Sequence, residues 1–280
     1  MNKEKKARKT DEEKLEILSS LVVMDDAMFE AMCESPEFIE EMLQTILDNP
    51  KLRIIYDSVV PQKSIKNLRG RSVRLDAYVQ GEEDQAFNIE IQCADNCNHV
   101  KRVRYNASII TVNNSEPGDE FDDIQPLCVI YITQKDIFKK GLTVYHVQST
   151  IQETHEVIDD GLTSIYINAE NNDGSKIAEL MELFNKKELD EDDRKRFPET
   201  YRRFNSIKHD KKEVNRMCEK IDNYAKEYAK EYAKEKEINL CISMCMKFNQ
   251  SRDEIISELT QRFNLTKEDA DEYYTEAIQQ

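Results

Sequence analysis

With 280 residues, 39% of them hydrophobic and 34% charged, the chain has apolar material for a substantial core and a polar excess to place on its surface. Its formal net charge of −16, from 56 acidic against 40 basic side chains, excludes a protein that grips phosphate over its whole surface; any nucleic-acid contact has to be a local basic patch. No apolar run approaches the ~20 residues of a bilayer span, the opening MNKEKKARKTDEEK lacks a secretory apolar core, and the seven cysteines read as reduced thiols, so a soluble, cytoplasmic protein is expected.

Residues 1–14 begin the chain with a basic arm, KEKKARK at 3–9, expected to be flexible. From Leu15 to about Leu47 apolar positions recur at helical spacing. SPEFIEEMLQTIL at 35–47 gathers Phe38, Ile39, Met42, Leu43, Ile46 and Leu47 on one broad face. Ser35 before Pro36 reads as an N-cap followed by a first-turn proline. KSIKNLRGRSVR at 63–74 then carries Lys63, Lys66, Arg69, Arg71 and Arg74 without one acid. Such a cluster is most often a solvated loop, and this one directly precedes a strand.

VRLDAYV (73–79) and FNIEIQ (87–92) alternate strictly, and the intervening QGEEDQA has the glycine and acids of a hairpin tip. Matching the apolar faces pairs 79 with 87, 77 with 89 and 75 with 91. That register sets Asp76 opposite Glu90 and Arg74 opposite Gln92. Like charges facing each other on a sheet are destabilising. They are tolerated if both point into water, if one is protonated, or if a cation lies between them. The polar face (Arg74, Asp76, Tyr78, Asn88, Glu90, Gln92) suits solvent exposure. Two carboxylates are also hard oxygen ligands for Mg²⁺ or Mn²⁺, which can activate water and neutralise charge on a phosphodiester.

NHVKRVRYNASIITVN (98–113) reads as a helix with Val100, Val103, Ala107 and Ile110 inward. A buried strand, LCVIYIT (127–133), follows an acidic loop. Shorter strands at 143–149 and 163–168 come next, then a helix from Lys176 to Asn185. This order predicts a mixed α/β domain over 15–185. Residues 186–237 read as a charged helical linker, including YAKEYAKEYAKEKE at 224–237 with Tyr224, Tyr228 and Tyr232 one turn apart. Residues 238–280 read as a small helical module in which Ser251 and Thr266 are N-caps with Glu254 and Asp269 three residues on. These C-terminal helices are where a homo-oligomer would form. Cys93, Cys97 and His99 have the spacing to begin a zinc site but lack an evident fourth ligand. Cys241 and Cys245, one turn apart, suit helix packing. No Walker loop or dinucleotide fingerprint occurs.

GRSVRLDAYVQGEEDQAFNIEIQ followed by KRVRYNASII resembles the signature of the recombination-promoting nuclease and transposase (Rpn) family of the PD-(D/E)XK nuclease superfamily. LCVIYITQKDIFKKGLTVYHV and DGLTSIYIN are similar to that family's next strands, so the resemblance covers about residues 20–185. It implies an α/β, restriction-endonuclease-like mixed sheet flanked by helices, with an all-helical C-terminal extension, and a divalent-metal-dependent DNA endonuclease. Asp76 matches the family's metal-binding aspartate and Glu90 the acid of its E-x-K half-motif, with the backbone carbonyl of Ile91 as the usual extra ligand. Gln92 stands where the wider superfamily has lysine and brings no charge; Lys101 or Arg102 on the following helix are candidates to replace it. Glu40 or Glu41 would be the glutamate the superfamily often carries on its first helix. Arg71, Arg74, Lys101, Arg102, Arg104 and Tyr105 would face DNA. The rival expectation, favoured by the negative charge, is a catalytically silent protein of the same fold that binds other proteins through its acidic surface and tail.

Overall fold

The computed structural model describes residues 11–65, 72–93 and 98–279. The basic arm at 3–9, Lys66, Arg69 and Arg71 of the basic island, and Cys97 lie outside the described residues, as does the side chain of Tyr228. The helical spacing before residue 47 resolves into α1 (Asp11–Ser20), α2 (Asp26–Met32) and α3 (Pro36–Ile46). Ser35 caps α3, its Oγ accepting the Phe38 N–H at 3.4 Å. Next come β1 (Val60–Ile65), β2 (Val73–Gln80), β3 (Ala86–Gln92), α4 (His99–Asn113), β4 (Leu127–Thr133), β5 (Val144–Val147), β6 (Leu162–Asn168) and α5 (Lys176–Phe184).

The strands form one sheet in the order β1-β2-β3-β4-β6-β5. β1, β2 and β3 are antiparallel, β3, β4 and β6 run parallel, and β5 returns antiparallel along β6. All seven residues of β4 are buried, as expected of a central strand with parallel neighbours and helices on both faces. The hairpin register agrees with the alternation of the sequence, Ala77 facing Ile89 and Val79 facing Phe87. β1 corrects the expectation of a solvated basic loop, because Lys63 lies in a strand with its Nζ 3.4 Å from the Tyr78 ring centroid. Pro61 and Lys63 obscured that strand, and both are tolerated because it is an edge.

One face of the sheet is covered by α2, α3 and α5, whose Phe29, Phe38 and Phe184 rings pack with centroids 6.0 to 6.4 Å apart. The other face is covered by α4, where Val103, Ala107 and Ile110 join Tyr78, Val129, Tyr131 and Tyr166 in one apolar cluster. The polar hairpin face therefore turns toward α4 and not toward water. Asn88 and Glu90 are 0% and 1% exposed, which overturns the reading of an exposed sheet face.

Two further helices, α6 (Glu191–Arg196) and α7 (Pro198–His209), belong to the same compact unit, which runs through Cys218 and so extends beyond residue 185. α7 buries Phe204 and Ile207, and polar contacts tie it to the N-terminal helices. Arg203 donates to the Ala31 carbonyl at the end of α2 (2.6 and 3.0 Å), and Lys208 Nζ donates to the Leu18 and Leu21 carbonyls at the end of α1 (both 2.7 Å). Asp193, fully buried, takes Lys186 Nζ at 2.9 Å and Arg196 at 2.7 Å while capping its own helix.

α8 (Lys211–Lys247), α9 (Arg252–Phe263) and α10 (Lys267–Gln279) follow, and a second compact unit begins at Glu219. In it Ile238, Cys241, Ile242 and Cys245 pack against Ile255, Ile256, Leu259 and Ala270. Ser251 and Glu254 form a reciprocal capping box, and Asn264 joins α9 to α10 in the left-handed conformation, φ 51°. No helix among the described residues is long and apolar enough to cross a membrane.

Candidate active site

The ladder between β2 and β3 stops at Ala77↔Ile89, one residue short of the expected Asp76–Glu90 pair. The strands part there, and a side chain takes over from the main chain: Asp76 Oδ2 accepts the Ile91 N–H at 2.9 Å. Glu90 is held more deeply. Its Oε1 accepts from Asn88 Nδ2 at 3.1 Å, while its buried Oε2 accepts no hydrogen bond from any described group. A buried carboxylate oxygen without a hydrogen bond is costly unless positive charge stands near it.

α4 brings the compensating charge. Arg102 Nη1 donates to Gln92 Oε1 at 2.6 Å, and Nη2 stands 3.8 Å from Glu90 Oε2. The helix is oriented by its ends: Asn98 caps it at the Lys101 N–H, and His99 Nδ1 lies 3.1 Å from the Tyr131 hydroxyl on β4. One cation thus spans Gln92, at the position where the wider superfamily has lysine, and the acid two residues before it.

Burial pushes the Asp76 carboxyl up to about 6, the Ile91 N–H opposing and the Asp26 charge assisting, with Arg102 and Arg74 pulling down. Burial and the Asp76 charge push Glu90 up to about 8 against Asn88, Arg102 and the buried Asn106. Two acids so placed resist simultaneous ionisation at neutral pH unless further positive charge arrives. That, with the Glu90 oxygen left without a hydrogen bond, fits a bound cation. Among the described residues no trio of His, Cys, Asp and Glu encloses a metal, so the protein offers two carboxylates. Such a sparse oxygen set suits a hard ion that keeps most of its own water.

Asp26 was not apparent from the sequence. It opens α2, its carboxyl is raised by burial and by Asp25, and its charge is felt at Asp76. The signal was there in MDDAMF, two acids inserted in an apolar run. Glu40 and Glu41 have other work. Glu40 accepts the Ile54 N–H at 3.1 Å and pairs with Arg53 at 3.5 Å. Glu41 caps α7, accepting from the Glu199 N–H (3.1 Å), the Thr200 N–H (2.8 Å) and the Thr200 hydroxyl (2.7 Å).

Of the remaining expected contacts, Arg74 is exposed and donates to Gln62, Lys101 and Arg104 are exposed, and Tyr105 packs partly buried against the α4 cluster. Arg71 lies outside the described residues. The two described members of the C-x₃-C-x-H pattern are engaged elsewhere. Cys93 donates to the Met24 carbonyl at 2.8 Å, its thiol pushed up to about 11 by burial and nearby acids, and His99 meets Tyr131.

A family model described as PD-(D/E)XK nuclease family transposase matches residues 27–258. No curated protein and no solved structure matches the chain.

Proposed function

The chain belongs to the PD-(D/E)XK nuclease family transposases, and from that membership we propose that it is a divalent-metal-dependent endonuclease hydrolysing DNA phosphodiester bonds. The observation that carries this reading is the buried Glu90 oxygen that accepts no hydrogen bond from any described group, beside Asp76 at the point where β2 and β3 separate. Asp76 and Glu90, with the Ile91 carbonyl, would hold Mg²⁺ or Mn²⁺. The ion supplies Lewis acidity and a water of lowered pKa. Gln92 orients that water or a phosphate oxygen through its amide. Arg102, fixed on Gln92, provides the permanent positive charge the superfamily's lysine would bring, set toward charge that develops on phosphate. Arg74, Lys101 and Arg104 are exposed cations suited to backbone phosphates. Arg71 would extend the same patch. On an acidic body the patch is local, so binding should be steeply salt-dependent.

The test is plasmid nicking across a Mg²⁺ and Mn²⁺ series, with thermal unfolding in parallel. Asp76→Asn and Glu90→Gln should abolish nicking. Each should match or exceed the wild type in melting temperature without metal, because each relieves repulsion, and should gain little when metal is added. A metal that is a hundredfold above its dissociation constant stabilises the wild type by about 2.7 kcal/mol. Wild-type protein that neither nicks nor responds to metal would favour the catalytically silent reading, which rests on the acidic surface.

A further inference from the structure

We propose that the β5 edge of the sheet, with the ribbon that prolongs it, is a docking surface for an extended polypeptide segment that alternates aliphatic and basic side chains and adds to the sheet as a further strand. Three observations support this, and none involves the nuclease site.

The first is main-chain geometry. The Asn168 N–H donates to the Thr143 carbonyl at 2.8 Å, so 143 and 168 are a hydrogen-bonded pair. Alternation along the antiparallel register then directs Tyr145 and Val147 toward β6, and the N–H and C=O of Val144 and His146 outward. β5 is the terminal strand of the sheet. The opposite edge carries Pro61 and Lys63, devices that discourage pairing, whereas the β5 sequence VYHV has neither.

The second is an overhanging ribbon. Beyond β5 the chain pairs with itself through Ile151 N–H to the Glu156 carbonyl and Ile158 N–H to the Ser149 carbonyl (both 2.9 Å), with Thr150 facing Val157. Every residue from His146 to Asp160 is exposed, Val147, Ile151, Val157 and Ile158 among them. Pairs 149/158 and 151/156 put Ile151 and Ile158 on one face, the aliphatic half of an interface that this unit leaves uncovered.

The third is charge. Between Lys140 and Lys176 the sequence contains no lysine or arginine, but has Glu153, Glu156, Asp159, Asp160, Glu170 and Asp173. The four acids of the ribbon have no cationic partner among the described residues; Asp160 accepts from the Ser149 hydroxyl and the Leu162 N–H, Asp159 from the Gly161 N–H, and Glu156 from the Thr154 hydroxyl. This edge repels nucleic acid, and two-fold pairing with a second copy would set four acids against four. A basic strand satisfies both backbone and charge, as in β-augmentation generally.

The experiment uses the full chain and a fluorescein-labelled heptapeptide, acetyl-Lys-Val-Lys-Val-Lys-Val-Lys-amide, read by anisotropy. The control peptide carries N-methyl valines, which keep side chains and charge but cannot donate to an edge. The wild type should bind the first saturably and the control about tenfold more weakly, the value of about one main-chain hydrogen bond. His146→Pro removes an outward donor without touching the β6 ladder and should weaken binding similarly, and so should Glu156→Lys/Asp159→Lys. Neither variant should alter plasmid nicking. Equal affinity for both peptides, or unchanged binding by both variants, overturns the proposal. So does concentration-dependent self-association of the wild type in sedimentation that His146→Pro abolishes, since it would assign the edge to a second copy.

Discussion

Replacing Arg102 by Met separates two consequences that a simple phosphate contact would not. The side chain donates to Gln92 at 2.6 Å and stands 3.8 Å from the buried Glu90 oxygen. At that separation a unit charge pair, as when Glu90 is ionised, is worth about 4 kcal/mol at an effective dielectric of 20. Arg102 is 40% exposed, so screening reduces this to on the order of 1–2 kcal/mol. The same positive charge opposes any divalent ion that Asp76 and Glu90 hold. Its removal should therefore tighten Mg²⁺ binding by about tenfold, as the carboxylates become the uncompensated partners of the metal. Nicking at saturating metal should fall in the other direction, by about 10²-fold, because a preorganised charge facing the developing phosphate charge has been deleted. Isothermal titration with Mg²⁺ gives the first quantity and single-turnover nicking the second. Arg102→Lys should restore part of the rate, being cationic but unable to reproduce the guanidinium fork. Weakened metal binding, or an undiminished rate at saturating metal, would refute the assignment of Arg102 to the reacting centre.

Glu41→Gln should cost about 1–3 kcal/mol in urea unfolding through the three hydrogen bonds it places on α7, while nicking and metal response at permissive temperature stay unchanged. A lost metal response would instead make Glu41 a ligand. Asp193→Asn should destabilise by about 2–3 kcal/mol at pH 7, less than for a fully enclosed pair because Lys186 and Arg196 are 28% and 34% exposed. Burial raises the Asp193 carboxyl, but Lys186, the Asp190 N–H and Arg196 outweigh it and hold the carboxyl below its ordinary value. Its contribution is thus complete above the unfolded value of 3.8 and lost as pH falls through the lower folded one. Denaturation midpoints of wild type and variant should converge in acid; a constant gap down to pH 2 would contradict this.

The hairpin was legible because strict two-residue alternation fixes which residues of each strand share a face and the short loop favours one register over those displaced by two, and 77 does face 89. The point where pairing ends was not legible, since it depends on Asp76 capturing the Ile91 N–H. Nor was the burial of Glu90. Alternation shows which residues share a face, but not that α4 would lie across it. Asp26 and Glu41 show the same limit in opposite directions. An acid at the start of α2 makes its charge felt at Asp76, and one on the expected helix is drawn off to cap α7, because both outcomes depend on how distant stretches of chain come together. Helix caps, by contrast, are local: Ser35 and Ser251 could be read from three or four neighbouring residues.

The clamps that α7 places on the N-terminal helices also set an order of events during synthesis. Lys208 closes on carbonyls 187 to 190 residues earlier, and Arg203 on one 172 residues earlier. At ~5–20 residues per second, a ribosome needs roughly 10–40 s to travel from Leu18 to Lys208. Throughout that interval the C-terminal ends of α1 and α2 lack their final hydrogen-bond partners. These bonds form only after most of the unit has been synthesised. A nascent chain halted before α7 would present the open ends of α1 and α2 to chaperones and proteases, making this seam the natural target of quality control.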